Sequence, residues 1–200
     1  MLVYTTNNST TNSGAGMCLN IEQKPGTSAL EATVKNCKFV GENNPELPVY
    51  GNKYDSEGKV ADAYKKRGHA IALNAISGGG DEGVLKTLLI EGCEIDGVRG
   101  NAIQLYGKSG NITIKDTKIN SWGVNSGAYE VTDKNGTTTT KDADCAAIRG
   151  DFAVGGARIL TIENVYFGLD EGGEEGHKLS HVNVGSYSGN TSGTRIAGTY

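Results

Sequence analysis

The first residues whose types suggest chemistry are two histidines near the end of the chain. His177 and His181 are four residues apart and follow the acidic, glycine-rich stretch GLDEGGEEG, residues 168–176. On a helix this spacing would place both imidazoles on one face, as a zinc site requires. The glycines disfavour a helix, however, and two strand residues four apart are separated by about 13 Å. We therefore interpret the stretch as an acidic loop and leave open a weak Ca²⁺ site formed by its carboxylates.

The second group of reactive side chains consists of four cysteines: Cys18, Cys37, Cys93 and Cys145. They form neither a C-x-x-C pair nor a spacing typical of zinc sites. Cys37 and Cys93 occupy the same place in two similar segments, TVKNCKFVG (33–41) and LIEGCEIDG (89–97). We interpret these two as buried thiols that behave as small hydrophobic residues. A disulfide that joins them is the less favoured alternative.

The segment that contains this cysteine position occurs four times along the chain. Its copies are residues 33–41, 89–97, 112–119 and 161–168. The aligned copies share three columns of apolar or small residues: Val34, Ile90, Ile114 and Ile162; Cys37, Cys93, Thr117 and Val165; and Phe39, Ile95, Ile119 and Phe167. The second and third columns are two residues apart, as a strand requires. The first and second are three apart, so the chain must bend between them.

The position of the bend is restricted to three residue types. It is occupied by Asn36, Gly92, Asp116 and Asn164. Asn, Asp and Gly best tolerate the left-handed backbone conformation, so one such residue can join two short strands that face the same core. Outside the core, charges alternate in sign between copies, in the columns Lys35, Glu91, Lys115 and Glu163, and Lys38, Glu94 and Lys118. In stacked parallel strands these residues would lie beside opposite charges.

A second apolar run precedes each copy of the segment. These runs are Cys18–Ile21, Ala70–Leu73, Ala102–Leu105 and Ala147–Gly150, and Leu179–Val184 begins a further one. Short elements of this kind bury their apolar face only by stacking on each other, which predicts a solenoid. Apolar residues form 36% of the chain and glycine accounts for 30 of its 200 residues. This composition also favours a turn-rich, all-β fold.

Composition limits the possible partners. The net charge is −4, and Lys and Arg are scattered among acidic residues, so there is no basic patch for nucleic acid. No apolar run approaches the length of a membrane span, and the first residues have no signal-peptide pattern. We expect one monomeric domain over residues 1–200. Because no capping segment is evident, we also expect that this domain is part of a longer protein.

Two insertions, residues 42–67 and 123–144, interrupt the repeat. The first contains SEGKVADAYKKRG, in which Ser56 can cap a helix and Gly68 follows its last turn. This pattern predicts a short helical arm. Both insertions begin after the third column and end before the next apolar run, so we expect both arms on one edge of the solenoid.

The second insertion predicts a β-hairpin arm. Asn135-Gly136 lies between β-forming residues, which is a strong signal for a two-residue type I′ turn. Counting outward from this turn places Glu130 opposite Lys141, a pair of complementary charge.

Between the bases of the two arms lies the short connection Gly97–Gly100, which we expect to form the floor of a groove. The residues expected to line the groove are Asp96, Arg99, His69, Trp122 and Asp144, with Tyr50, Tyr54, Tyr64 and Tyr129 above them. The predicted ligand-binding residues are Trp122, Tyr54, Tyr64, Tyr129 and Arg67. Trp122 is the only tryptophan, and it would either stack on a sugar ring or pack beneath the hairpin arm.

The repeat resembles the generic coil of right-handed parallel β-helix proteins, the pectin-lyase-like fold, over residues 15–187. The resemblance implies an all-β, right-handed parallel β-helix solenoid of about five rungs, and the two insertions add a helical arm and a β-hairpin arm on one edge. Proteins of this fold often cleave acidic or neutral polysaccharides. Their lyases commonly pair a carboxylate-bound Ca²⁺ with an Arg or Lys base, which makes Asp96 and Asp144 candidate carboxylates and Arg99 a candidate base.

The motifs of the hydrolases of this fold are only partly present. Gly68-His69-Ala70 and Arg195-Ile196-Ala197 are similar to two polygalacturonase motifs, whereas the paired-Asp motif is missing. We therefore expect an extracellular or cell-surface module that binds polysaccharide or a host or cell-surface glycan, or that serves as an adhesin-like scaffold. The alternative is a lyase or glycoside hydrolase that uses Asp96, Arg99, His69 and Asp144. Apart from a possible Ca²⁺, we expect no cofactor.

Overall fold

The computed structural model describes residues 2–5, 17–22, 31–41, 69–75, 85–107, 109–124, 129–132, 135–141, 143–152, 158–174, 177–186 and 194–199. Within these ranges the chain is all-β, with eighteen strands and no helix. Accordingly, these residues include no helix that is long and apolar enough to cross a membrane.

The strands are β1 (Leu2–Thr5), β2 (Met17–Glu22), β3 (Glu31–Lys35), β4 (Lys38–Gly41), β5 (His69–Ala75), β6 (Leu85–Glu91), β7 (Glu94–Asp96), β8 (Ile103–Gly107), β9 (Ser109–Lys115), β10 (Lys118–Ile119), β11 (Tyr129–Thr132), β12 (Thr138–Lys141), β13 (Ala143–Phe152), β14 (Arg158–Glu163), β15 (Tyr166–Phe167), β16 (Gly172–Glu174), β17 (His177–Ser186) and β18 (Thr194–Thr199).

Three sheets contain all of these strands except β11 and β12, which form a hairpin. Sheet A has the order β1-β4-β7-β10-β15, sheet B the order β16-β17-β13-β8-β5-β2, and sheet C the order β18-β14-β9-β6-β3. Adjacent strands come from successive copies of the repeat and run parallel, and among the described strands only β11–β12 and β16–β17 are antiparallel pairs. This is a β-solenoid-like arrangement, compatible with a parallel β-helix.

The pairing register confirms the predicted columns. In sheet C, Val34 pairs with Ile90, Ile90 with Ile114, and Ile114 with Ile162. In sheet A the paired series is Phe39, Ile95, Ile119 and Phe167. Every member of the three columns is buried except Phe167, which is half-buried on the last strand of sheet A. The core therefore lies between the sheets, as the alternation of apolar and polar residues predicts.

The bend is also confirmed. The φ angles of Asn36, Gly92, Asp116 and Asn164 are 53°, 63°, 50° and 50°, which places all four residues in the left-handed region. At Gly92 a Cβ would collide with Oδ1 of Asn36, so that side chain would have to shift if the second copy carried a larger residue. At the other end of this column, Nδ2 of Asn164 donates to Oδ1 of Asp116 at 2.7 Å. The last two copies are thus joined at the corner by a side-chain hydrogen bond.

The alternating charges form the expected ion pairs in the first copies. Glu91 lies between two lysines, with 2.7 Å from Oε2 to Lys35 Nζ and 3.4 Å from Oε1 to Lys115 Nζ. In the neighbouring column, Nζ of Lys38 lies 2.8 Å from Oε1 of Glu94. The hydrogen bond from Lys35 and the nearby charges lower the pKa of Glu91, although desolvation opposes them.

The cysteines are free thiols, and Cys37 and Cys93 are buried. Sγ of Cys37 donates to the Lys35 carbonyl at 3.2 Å, and Sγ of Cys93 lies 3.5 Å from the Glu91 carbonyl. Burial raises the pKa of Cys93, so its thiol stays protonated at neutral pH. The interpretation of these side chains as small hydrophobic residues is consistent with this environment.

The predicted turn of the hairpin arm is wrong by one residue. Tyr129 pairs with Lys141 and Thr132 with Thr138, so Glu130 lies opposite Thr140 instead of Lys141. Five residues, 133–137, therefore join the strands in place of the expected two-residue turn. Loops of this length also form hairpins, usually around a different turn type.

The acidic stretch near the end of the chain differs from its prediction as well. Residues 172–174 form β16, which pairs antiparallel with β17 along one edge of sheet B. A short strand of this kind blocks further pairing at a sheet edge. Strand β17 also confirms that Leu179–Val184 continues the stack, because it pairs in parallel with β13. The predicted helical arm, residues 42–67, lies outside the described residues.

Candidate functional site

The connection that was predicted over Gly97–Gly100 extends to Ala102 in the structure, where it joins β7 of sheet A to β8 of sheet B. The predicted groove surrounds this connection, Gly97–Ala102. Every residue of the connection after its first glycine is buried. The amide of Gly123 donates to the Gly100 carbonyl at 3.0 Å, and the amide of Val124 donates to the Val98 carbonyl at 3.0 Å. The chain that follows β10 therefore runs alongside the connection and covers it. The floor of the expected groove is a packed layer.

Arg99, the candidate base, is a core residue of this layer. Its side chain is only 1% exposed, and desolvation by burial lowers the pKa of its guanidinium. A lowered pKa is what a basic catalyst would need, but the burial that causes it also encloses the side chain. The Arg99 carbonyl lies 3.9 Å from Sγ of the buried Cys145, so the backbone here packs closely on β13.

His69 is likewise buried, at 4% exposure, and it contacts the connection. Its Nδ1 lies 3.1 Å from the carbonyl of Asn101, and because a carbonyl only accepts, Nδ1 carries the proton in this contact. Oδ1 of Asn101 accepts from the amide of Ala146 at 2.7 Å, and its Nδ2 donates to Oε1 of Gln104 at 2.6 Å. These bonds join the beginnings of β5, β8 and β13, so His69 and Asn101 hold neighbouring strands together.

Asp96, the candidate carboxylate of sheet A, is half-buried at the end of β7. Oγ of Ser121 donates to Asp96 Oδ1 at 2.5 Å and accepts from the amide of Gly97 at 2.6 Å. The carboxylate is thus fixed by a residue of the next copy, directly after β10. Asp96 belongs to the outer surface, whereas Arg99 belongs to the interior.

Trp122 is fully buried, with no exposed surface for a sugar ring. Its indole makes edge contacts with Phe167, at a centroid distance of 6.3 Å, and with His181, at 5.8 Å. The rings of Phe167 and His181 stack in parallel at 4.5 Å. Nε2 of His181 lies 2.7 Å from the Leu169 carbonyl, to which it must donate. The tryptophan therefore packs in the interior against Phe167 and His181, and its expected contact with the hairpin arm stays a prediction.

Of the remaining predicted residues, two are described through their backbone and four lie outside the described residues. Asp144 lies in β13 opposite Lys178, beside the buried Cys145, and Tyr129 begins the hairpin. Tyr50, Tyr54, Tyr64 and Arg67 lie outside the described residues. The structure thus places His69 and the β13 residue Cys145 beside the connection that contains Arg99, and it buries all three side chains.

A polar surface that the sequence analysis did not single out lies on the outer side of sheet A. We refer to it as the sheet A face, which consists of Lys38, Glu94, Lys118 and Tyr166 in one row and Asp96 and Asn120 in the next. Tyr166 is 58% exposed, and Ile159 on sheet C is the other exposed large hydrophobic residue of the described part. The column Lys38, Glu94 and Lys118 was visible in the sequence, and its next member, Tyr166, would have extended it.

Hydrogen bonds hold the side chains of this face in place. Oε1 of Glu94 accepts from Lys38 Nζ at 2.8 Å and from Asn120 Nδ2 at 3.3 Å. The bond between Ser121 and Asp96 continues this network along the end of the sheet. Four neighbouring strands about 4.8 Å apart make the row from Lys38 to Tyr166 about 14 Å long. A ligand of several polar units in series would match such a row.

The described residues contain no group of three or more His, Cys, Asp or Glu side chains that could hold a metal ion. His177 and His181 both lie in β17, at the separation expected for strand residues four apart. Comparison with protein-family models, with curated proteins and with solved structures gives no match.

Proposed function

We propose that this chain is a non-catalytic β-solenoid-like module of the cell surface or extracellular space that binds glycan through the sheet A face. One observation carries the proposal. Hydrogen-bonding side chains and an exposed tyrosine lie in register across four parallel strands, whereas Arg99, His69 and Trp122 are buried. The side chains that a ligand can reach are therefore those of this face, and their ordered arrangement supports recognition.

The polar side chains of the face suit the hydroxyl groups of a sugar. Glu94 and Asp96 each use one carboxylate oxygen within the network, and each has a second oxygen that can accept. Because Ser121, Asn120 and Lys38 already fix these carboxylates, less side-chain entropy is lost when a ligand binds. Strands support such a surface more rigidly than loops do.

Tyr166 supplies the apolar component of the proposed site. It lies beside Lys118 in the pairing register, and more than half of its surface is exposed. An aromatic ring with one polar end can contact the apolar face of a sugar while its hydroxyl remains in water. Sites of this kind combine an aromatic surface with a few placed polar groups.

The proposal predicts that the sheet A face, and no other surface, carries glycan binding. Purified protein should bind a subset of a glycan array, and Tyr166→Ala should weaken that binding by about tenfold or more, equivalent to about 1.4 kcal/mol. Ile159→Ala is the matched control, because it removes an exposed hydrophobic side chain from sheet C. Its binding should equal that of the unchanged protein.

Two outcomes would contradict the proposal. Binding that survives both Tyr166→Ala and Asp96→Asn would place the site elsewhere, for example between the two arms. If the protein binds no glycan, and if deletion of the hairpin arm changes no binding property, the chain would instead be a structural stalk or scaffold.

A specific observation supports a second candidate, glycoside hydrolysis. Glu94 and Asp96 are alternate residues of β7, so they face the same side with Cα atoms about 6.6 Å apart. Inverting glycosidases use two carboxyl groups that face one substrate, one as acid and the other as base. New reducing ends released from a polysaccharide panel, and lost in both Glu94→Gln and Asp96→Asn, would favour this function. Absorbance from unsaturated uronides would instead indicate a lyase.

A further inference from the structure

We propose that Asn135, in the hairpin arm, is a site of spontaneous modification that converts it to aspartate and isoaspartate. The chain contains a single Asn-Gly dipeptide, Asn135-Gly136. Both residues and the following Thr137 are exposed. The inference is independent of any ligand, because the reaction needs only the chain and water.

The chemistry is intramolecular. The backbone nitrogen of Gly136 attacks Cγ of the Asn135 side chain, a C–N bond forms, and the side-chain amide leaves as ammonia. Water then opens the resulting succinimide at either carbonyl, which gives aspartate, or isoaspartate when the main chain passes through Cβ. The protein gains one negative charge in either case, so the net charge changes from −4 to −5. No oxidant, metal or enzyme takes part.

The loop geometry makes this dipeptide accessible to the reaction. The hairpin ladder ends at the pair Thr132 and Thr138, so Asn135 and Gly136 lie in a five-residue loop and not in a two-residue turn. No atom lies within 4 Å of the position of a Cβ at Gly136, whose φ is +82°. The attacking nitrogen thus belongs to the residue type with the greatest backbone freedom, in open surroundings.

Other exposed asparagines of the described part provide internal comparisons. Asn111 lies in β9 and precedes the β-branched Ile112, which hinders approach of its nitrogen. Asn164 precedes Val165, which is β-branched as well. These residues should react far more slowly than Asn135, although they are exposed as well.

The test is incubation of the purified protein in mildly alkaline buffer, followed by proteolysis and mass spectrometry. The peptide that contains Asn135 should split into aspartate and isoaspartate forms, with the mass change of an amide replaced by an acid. Peptides that contain Asn111 and Asn164 should remain unchanged over the same period. Ion exchange should show a more acidic species that accumulates at the same rate.

Two variants distinguish this reaction from general chemical damage. Asn135→Gln should abolish the acidic species, and Gly136→Ala should slow its formation by at least about tenfold, because a side chain restricts attack by the backbone nitrogen. The inference is wrong if Asn135 remains unmodified, or if all exposed asparagines react at similar rates. Neither result depends on glycan binding, so the proposed function is tested separately.

Discussion

The buried connection Gly97–Ala102 directly follows β7, which contributes Glu94 and Asp96 to the sheet A face, but the two regions differ in character. In the connection, Arg99 is 1% exposed, although its charge would favour the surface. On the face, a few residues earlier, Glu94 and Asp96 are partly exposed and held by hydrogen bonds from the next copy. Chemistry-bearing residue types therefore do not by themselves locate a site in this fold. A candidate site is found where the alternation of a strand places such side chains on the outer surface.

The difference has a physical cause. In a strand, alternate residues face opposite sides, so position in the repeat determines burial. In a connection no such period exists, and burial depends on what packs over it, here the backbone of Gly123 and Val124. The connection is therefore covered by the segment that follows β10 and does not line an open groove.

The largest expected effect tests whether Trp122 is a core residue or a binding residue. Trp122→Ala should lower the free energy of unfolding by about 3–5 kcal/mol, because it removes a fully buried indole from its contacts with Phe167 and His181. Tyr166→Ala, on the sheet A face, should change it by no more than about 0.5 kcal/mol. Urea unfolding followed by circular dichroism measures both.

If Tyr166→Ala lowered the free energy of unfolding more than Trp122→Ala does, the distinction between the buried layer and the sheet A face would be wrong. Trp122→Phe serves as a milder variant, because it retains an aromatic ring in the same space. If Trp122→Ala were as stable as the unchanged protein, the indole would be available for ligands.

The next effect compares a glycine at the connection with one in the hairpin arm. A Cβ at Gly41 would lie 2.8 Å from Cα of Val98 and collide with the Gly97 carbonyl, so one backbone must move. Gly41→Ala should therefore cost about 1–3 kcal/mol. Gly136→Ala meets no atom within 4 Å and should cost only about 1 kcal/mol, from its left-handed conformation. Thermal unfolding of both variants would show whether close packing is confined to the connection.

Much of the fold could be predicted from the sequence, because the same pattern of apolar residues and one bend residue recurs in each copy of the repeat. The columns of Val34 and Phe39, and the left-handed bend at Asn36, appear in the structure with the predicted register. The strands β1 and β18 were not predicted, since Thr194–Thr199 has Gly198 where the first column has an apolar residue, and Leu2–Thr5 matches only the third column. In the structure β1 pairs with β4 and β18 pairs with β14, so both strands extend the stack.

The candidate site was less predictable for a different reason. The sequence indicated which residues gather around the connection, but the burial of Arg99 and His69 depends on contacts between distant copies. The two-residue turn predicted at Asn135-Gly136 was wrong for a similar reason. The type I′ preference of this dipeptide is a local property, whereas the register, with Tyr129 opposite Lys141, is a property of the whole hairpin.

A smaller effect concerns the thiol of Cys18, which lies in β2. Burial raises the pKa of Cys18 from 9.0 to about 11, so the folded protein keeps the proton where the unfolded chain loses it. Between these values the unfolded state binds fewer protons, and stability must fall as the pH rises. The difference in urea midpoint between the unchanged protein and Cys18→Ala should therefore narrow from pH 9.0 toward about 11. A difference that stays constant would show that the thiol is solvated like an exposed one.

The smallest effect belongs to the outer surface of sheet C, where Glu91 lies between Lys35 and Lys115. The pKa of Glu91 is lowered, first by its hydrogen bond from Lys35, so its contribution to stability is present at neutral pH and is lost as the pH falls through the lowered value. Glu91→Gln should therefore be slightly less stable at neutral pH and low salt, and equal to the unchanged protein in acid or high salt. Urea midpoints at both pH values and both salt concentrations measure this. A large loss that persists in high salt would contradict this expectation, because salt screens an exposed ion pair.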